Sequence, residues 1–360
     1  VECIRRRLLD LFRVHGYELV IPPLIEYLPA LLTGSGHDLA LKTFTLVDQL
    51  SGRAMGLRAD ITPQAARIDA HLLNRAGVVR LCYAGSVLHT LPTGQPRNRE
   101  PLQIGAELFG HAGLESDVEI QRLMLRALRS LGIERVHLDL GHVAIFRSLV
   151  AAAGVPQEQE SALFQALQGK DAGTLEYLTR AFPAALRAAF AALPTLYGGE
   201  EVLDAAARAL PDSAAIRAAL QDLRTLARHT RGEGVDVCFD LAELRGYHYH
   251  SGAVFAVYTQ EHAHAVALGG RYDDVGEVFG RRRPATGFSM DLRVLAGLTR
   301  MEAPMPPIHA PALDEPALLA RIEELRAAGE AVALDLGGEE IRQGARRLVF
   351  KDGDWRVESA

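Results

Sequence analysis

The stretch QPRNREPLQIGAELFG, Gln95 to Gly110, constrains the fold of this chain more than any other. Arg97, Arg99, Gln103, Gly105 and Glu107 fall on odd positions, while Leu102, Ile104, Ala106 and Leu108 fall on even ones. Side chains of an extended strand alternate between faces, so the two sets lie on opposite sides of a sheet. The even set suits a buried core. The odd set is unusual: two guanidiniums, an amide, a gap at glycine and a carboxylate. The chain must therefore build a sheet with one face on a core and a second face that holds something polar.

The surrounding punctuation places the other elements. Glu2–Val14 reads as an amphipathic helix, with Ile4, Leu8, Leu9, Leu11 and Phe12 at helical spacing. GYELVIPPLIEY, residues 16–27, reads as a strand whose pairing must stop or lie at an edge at Pro22 and Pro23. Phe44 to Ile68 reads as a hairpin turning at Ser51-Gly52, then a helix with Thr62 as N-cap and Pro63 at its first position. Strands are expected at 79–87, 101–109 and 136–140, with a helix over 114–131. Residues 156–232 are rich in alanine and leucine with Gly and Pro breaks, which reads as a helical insertion. Strands return in DVCFDLAEL, SGAVFAVYT and HAVALGG, and a helix is expected near 290–298. After a proline-rich stretch comes a tail with one helix and two or three strands.

Hairpins mixed with helices indicate an α+β fold with an antiparallel sheet flanked by helices, rather than repeating βαβ units. The expected divisions are a core in two parts, 1–155 and 233–300, a helical insertion at 156–232 and a small acidic C-terminal α/β domain at 301–360. That tail carries seven Lys+Arg against twelve Asp+Glu, and the whole chain has a net charge of −6. Neither surface would hold a polyanion by counterion release, so no nucleic acid is expected as a partner. Three cysteines without a CxxC pair read as reduced thiols. With no run of eighteen apolar residues and no signal pattern, the expectation is a cytoplasmic chain without membrane contact. Its start at Val1 implies that a few native residues are missing.

Familiar catalytic motifs, GxxxxGK[ST], HExxH and GxSxG, do not occur. His248 with His250 and His262 with His264 form HxH pairs that would each share a strand face. A metal site needs three or four converging ligands, so these read as polar or partly buried strand histidines, and neither metal nor cofactor is expected. The glycines of GSGHD lack the strand-turn-helix context of a phosphate loop.

Five segments in order resemble the catalytic core of class II aminoacyl-tRNA synthetases, and specifically histidyl-tRNA synthetase. GYELVIPPLIEY resembles the first class motif, with Pro23 in the place of its proline. LRADITPQAARI is similar to the segment that receives the amino acid's ammonium group, and RLCYAGSVLHTLPTGQPRNREPLQIGAELFG resembles the second motif. ELRGYHYHSGAVF resembles the histidine-specific signature, and GGRYDD with PATGFSMDLRVL the third motif. The resemblance runs over residues 1–300, insertion included.

Carried over by position, the resemblance implies that Asp60, Thr62 and Gln103 receive the α-ammonium of free histidine. Arg245 would meet its carboxylate, Glu107 and His250 would border the imidazole with Tyr249 beside them, and Arg97 is a possible further contact. The chemistry fits, since an ammonium wants carboxylate and neutral acceptors and a carboxylate wants a guanidinium. Gly105 would leave room for the ligand above the sheet. The ATP half departs from the pattern. The arginine for the α-phosphate is His89, with Leu91 two residues on. The arginine for the γ-phosphate is Val294, preceded by Arg293 where a glutamate is expected, and the signature's aspartate and second tyrosine are His248 and His250. No catalytic residue is therefore expected. The tail is too short for an anticodon-binding domain.

A synthetase-like chain that keeps an amino-acid pocket without ATP chemistry resembles the regulatory-subunit family of ATP phosphoribosyltransferase. That resemblance implies a homodimer through the class II core and a short-form catalytic subunit as partner in a hetero-octamer. It also implies activation of that subunit and histidine feedback in the first step of histidine biosynthesis. Two alternatives stay open: a degenerate enzyme that activates an amino acid with ATP, and an unrelated amino-acid-binding regulator.

Overall fold

The computed structural model describes residues 1–32, 36–91, 98–247, 249–299, 305–337 and 345–359. Contacts divide the chain into two compact units, Val1–Arg300 and Met301–Ala360. The larger is built on a nine-stranded sheet. Its centre runs Val79–Ser86, Leu102–Phe109, Ala285–Asp291, His262–Arg271, Ala253–Thr259, Val136–His142, every neighbouring pair antiparallel. Parallel pairing enters at both ends, where Glu18–Leu19 joins the Val79 strand and Val235–Asp240 joins the Val136 strand. The sheet is thus mixed at its flanks rather than antiparallel throughout.

Alternation along Leu102–Phe109 does what its parity predicts. Tyr83 pairs with Gly105 and Leu81 with Glu107, which brings the odd residues of two strands onto one face. The opposite face carries Ile104, Ala106 and Leu108, all buried, under the helices Glu2–Val14 and Leu114–Ser130. Arg80 on that side makes a two-pronged bond to Glu119 of the second helix at 2.7 Å. Arg99 lies ahead of the strand and stacks over Phe44, with its Nε donating to the His89 carbonyl at 3.1 Å. It is not part of the odd face, and Arg97 lies outside the described residues.

The expected strand over residues 16–27 is two short strands, Glu18–Leu19 and Ile25–Tyr27, the second in a separate three-stranded sheet with Phe44–Val47 and Ala54–Leu57. Pro22 and Pro23 break it because a proline nitrogen has no proton for a ladder. Their carbonyls are satisfied by side chains instead. The buried Arg58 donates Nη1 to Pro22 O at 2.6 Å, and Gln64 donates Nε2 to Pro23 O at 2.8 Å. Thr62 is not an N-cap but the first residue of the helix Thr62–Arg67, after Ile61. Its hydroxyl is engaged with Tyr83 at 2.9 Å, and Asp60 takes the capping role by accepting the Thr62 N–H at 3.0 Å.

Five α-helices and one 3-10 turn lie between Gln157 and Thr230, and the segment also contributes the short strand Tyr197–Gly198 to the sheet edge, so it is not purely helical. Among its described residues the smaller unit has four strands rather than two or three: Ile308–Pro311, Val332–Asp335, Arg346–Lys351 and Asp354–Ser359, with the helix Pro316–Ala327. Ile308, Ala310, Leu318, Ile322, Leu348 and Trp355 form its own core. No helix among the described residues is long and apolar enough to cross a membrane.

Candidate functional site

The polar face of the central sheet floors a cleft of about 460 Å³. Asp60, Thr62, Glu107, Arg245, Tyr249 and His250 all line it, although they come from three separate parts of the chain. Gln103 lies one step behind. Its Nε2 donates to Asp60 Oδ1 at 2.7 Å, and its Oε1 accepts the Ile61 N–H at 2.9 Å. Asp60 is thus held by an amide side chain and by the Thr62 backbone, which orients a carboxylate toward the opening. Such an arrangement can receive an ammonium group.

Glu107 sits at the bottom of the cleft and is 1% exposed. Tyr83 donates to its Oε1 at 2.8 Å, and the Tyr272 hydroxyl donates to Oε2. Burial raises its pKa to about 8; the two tyrosine hydrogen bonds oppose that shift without cancelling it. Two glycines make the placement possible. A Cβ on Gly287 would stand 1.6 Å from Glu107 Oε2, and one on Gly105 would meet the Tyr83 hydroxyl at 2.5 Å. The space over Gly105 is therefore filled by Tyr83, not left for a ligand as the sequence suggested. The opening lies further along the same face.

His250 is half-buried, and desolvation pushes its pKa down to about 4, so the ring is neutral near pH 7. Its Nδ1 is 3.2 Å from the Arg271 carbonyl. A carbonyl can only accept, so the proton is on Nδ1 and Nε2 is left as an acceptor. His250 lies in a turn rather than on a strand, and His248 is outside the described residues. His250 therefore does not occupy the strand position expected for it. His262 and His264 are on a strand, and His262 Nδ1 contacts the His264 backbone.

Arg245 stands at the mouth, paired with Glu243 at 3.1 Å and donating to the Tyr258 hydroxyl at 2.5 Å. The turn it belongs to is fixed by Arg147, whose Nη2 donates to the carbonyls of Tyr247 and His250 at 3.1 and 2.7 Å. Tyr249 packs its ring 4.8 Å from that of Tyr272. Phe164 and Gln168 of the helix Gln157–Gln168 also line the cleft, a contribution that local sequence pattern did not signal. That helix is tied to the turn by the Tyr247 hydroxyl donating to Glu160 at 2.6 Å and by Phe164 stacked on the Tyr247 ring.

The positions that would serve ATP are differently furnished. His89 Nε2 is bound to the Ala59 carbonyl at 3.0 Å, and burial, with Lys42 adding, holds its pKa below the usual value. It is neutral near pH 7. Arg293 donates to the Glu100 carbonyl at 3.1 Å, Leu91 is exposed, and Val294 carries no charge.

Comparison with known proteins bears on both units. The family model described as Histidyl-tRNA synthetase matches residues 1–295, and the one described as ATP phosphoribosyltransferase subunit HisZ C-terminal domain matches residues 305–358. An ATP phosphoribosyltransferase regulatory subunit from Ralstonia nicotianae is 58% identical, covering 99% of this chain and 93% of the relative. One from Azoarcus sp. is 56% identical, covering 99% and 94%. Among solved structures, an ATP phosphoribosyltransferase regulatory subunit/histidyl-tRNA synthetase from Bacillus halodurans C superposes with a TM-score of 0.81 at 26% identity, over 94% of this chain and 89% of that one. The ATP phosphoribosyl transferase (HisG:HisZ) complex from Thermotoga maritima matches with a TM-score of 0.60 at 16% identity, over 80% and 96%, which bears on fold alone. A synthetase-like core followed by this particular C-terminal domain, and relatives more than half identical along nearly the whole chain, lead to one conclusion: the chain belongs to the family of ATP phosphoribosyltransferase regulatory subunits.

Proposed function

We propose that this chain binds free histidine in the cleft over the central sheet and uses that binding to control a short-form ATP phosphoribosyltransferase catalytic subunit. The chain activates that partner and makes it sensitive to histidine. The observation that carries the reading is the convergence of Asp60 with Gln103 and Thr62, Arg245, and Glu107 with His250 on one cleft. An ammonium, a carboxylate and an imidazole each find a complementary group there. Arg97 belongs to the proposal as a further contact.

A chain without ATP chemistry can contribute only binding free energy. Binding regulates when the ligand distinguishes two states of an assembly. A coupling of roughly 1–3 kcal/mol gives several-fold to hundredfold control, enough for feedback. The proposed assembly is a homodimer through the core, 1–155 with 233–300, joined to catalytic dimers in a hetero-octamer, since a two-fold platform favours a symmetric product. The relatives more than half identical along nearly the whole chain are named regulatory subunits, which supports a partnered role.

The test is copurification with the short catalytic subunit of the same genome, with its activity measured with and without this chain and with histidine. Activity that rises with the chain and falls again with histidine is expected. A catalytic subunit that is fully active and histidine-inhibited on its own defeats the proposal.

A further inference from the structure

Away from the cleft, the strands Val136–His142 and Val235–Asp240 run parallel, with His137 beside Asp236 and Asp139 beside Cys238. Alternation puts these four side chains on one face. A nitrogen of His137, a carboxylate oxygen of Asp236 and the sulfur of Cys238 lie within 4.8 Å of one another. His137 Nδ1 is 2.9 Å from Asp236 Oδ2, and its Nε2 is 2.8 Å from Asp139 Oδ1.

We propose that this cluster is a binding site for a zinc-like divalent cation, held by His137 Nδ1, Asp236 and the Cys238 sulfur, with a fourth position open to water. The donor set carries the choice of metal. Imidazole and thiolate favour zinc and its neighbours over magnesium or calcium, which take oxygen ligands. The Nε2–H donates to Asp139, the carboxylate–histidine pairing that commonly orients a metal-bound ring, and this turns Nδ1 toward Asp236. Zinc ligands at bond lengths of about 2.0–2.3 Å lie roughly 3.5 Å apart, so the three side chains close by about 1 Å on binding. Asp236, 75% exposed, is free to rotate inward. The cation takes the place of the proton shared between Nδ1 and Asp236, and the thiol proton leaves to solvent.

A plain ion pair, with the imidazolium between two carboxylates, accounts for Asp139 and Asp236. It does not account for a thiol brought to the same point. Other carboxylates nearby have cations of their own: Asp240 is held by Lys170 at 2.9 Å and Glu243 by Arg245 at 3.1 Å.

The experiment is a titration of the untagged full chain with Co²⁺, followed by displacement with Zn²⁺. One equivalent should bind and give a thiolate-to-cobalt charge-transfer band. Cys238→Ser should abolish the band, and His137→Ala and Asp236→Asn should each weaken binding roughly tenfold or more. Cys3→Ser, at an exposed cysteine of the first helix, should change nothing. Asp236→Asn, on the most exposed of the three side chains, keeps the test decisive if either of the other variants fails to fold. No band with the intact chain, a band that survives Cys238→Ser, or affinity unchanged by Asp236→Asn overturns the proposal.

Discussion

Glu107 is a carboxyl group with two tyrosine donors and almost no contact with water. Its pKa, ordinarily 4.5, stands at about 8 because burial disfavours the charged form. The native state therefore holds a proton that the unfolded chain releases between those two values. Stability from this group is present below pH 4.5 and is lost as pH rises through 8, at on the order of 1 kcal/mol per unit in between. Glu107→Gln should flatten that slope, which thermal unfolding at pH 5, 6.5 and 8 would register. A slope identical to the parent's would mean that other groups set it. Glu107→Ala should cost about 1–3 kcal/mol of histidine binding by leaving the imidazole without its carboxyl partner. Calorimetry showing unchanged affinity would remove Glu107 from the pocket's chemistry.

Among the elements, the turn from Arg245 to His250 depends most on its neighbours. Its described residues belong to no strand or helix, and Arg147 donates to the Tyr247 and His250 carbonyls. The helix Gln157–Gln168 presses on it from the other side through Glu160 and Phe164. Arg147→Ala should free two carbonyls at once. The expected cost is about 1.5–3 kcal/mol in stability, together with weaker histidine binding, because His250 and Arg245 lose their common support. Thermal unfolding and calorimetry on one preparation check both. A variant that loses stability but binds histidine unchanged would show that the turn does not need this support.

For the whole molecule, one fold carries the cleft proposed for histidine together with two phosphate positions of the synthetase resemblance that lack their arginines. Losing one preorganised charge stabiliser costs about 10²–10³ in rate, and two cost several orders more. A neutral His89 and an uncharged Val294 stand at the two phosphate positions implied by the synthetase resemblance. The isolated chain should show no histidine-dependent ATP–pyrophosphate exchange above background. Clear exchange that disappears in Glu107→Ala would restore the adenylating reading.

The faces of the central strand were legible in residues 102–109 because alternation is a local property with a period of two. The break at Pro22-Pro23 was equally local, since the missing proton belongs to the residue itself. So were the changes at His89 and Val294, which are matters of residue type at a motif position. The environment of Glu107 was not. Its partners lie 24 and 165 residues away, and only the order of strands in the sheet sets Tyr83 and Tyr272 beside it. Nothing local says that the gap at Gly105 belongs to a tyrosine hydroxyl, because the filler sits on the neighbouring strand in a register that hydrogen bonding decides. Phe164 and Gln168 reach the cleft for the same reason: a helix shows its apolar stripe in sequence, but what that stripe covers follows from how the chain packs.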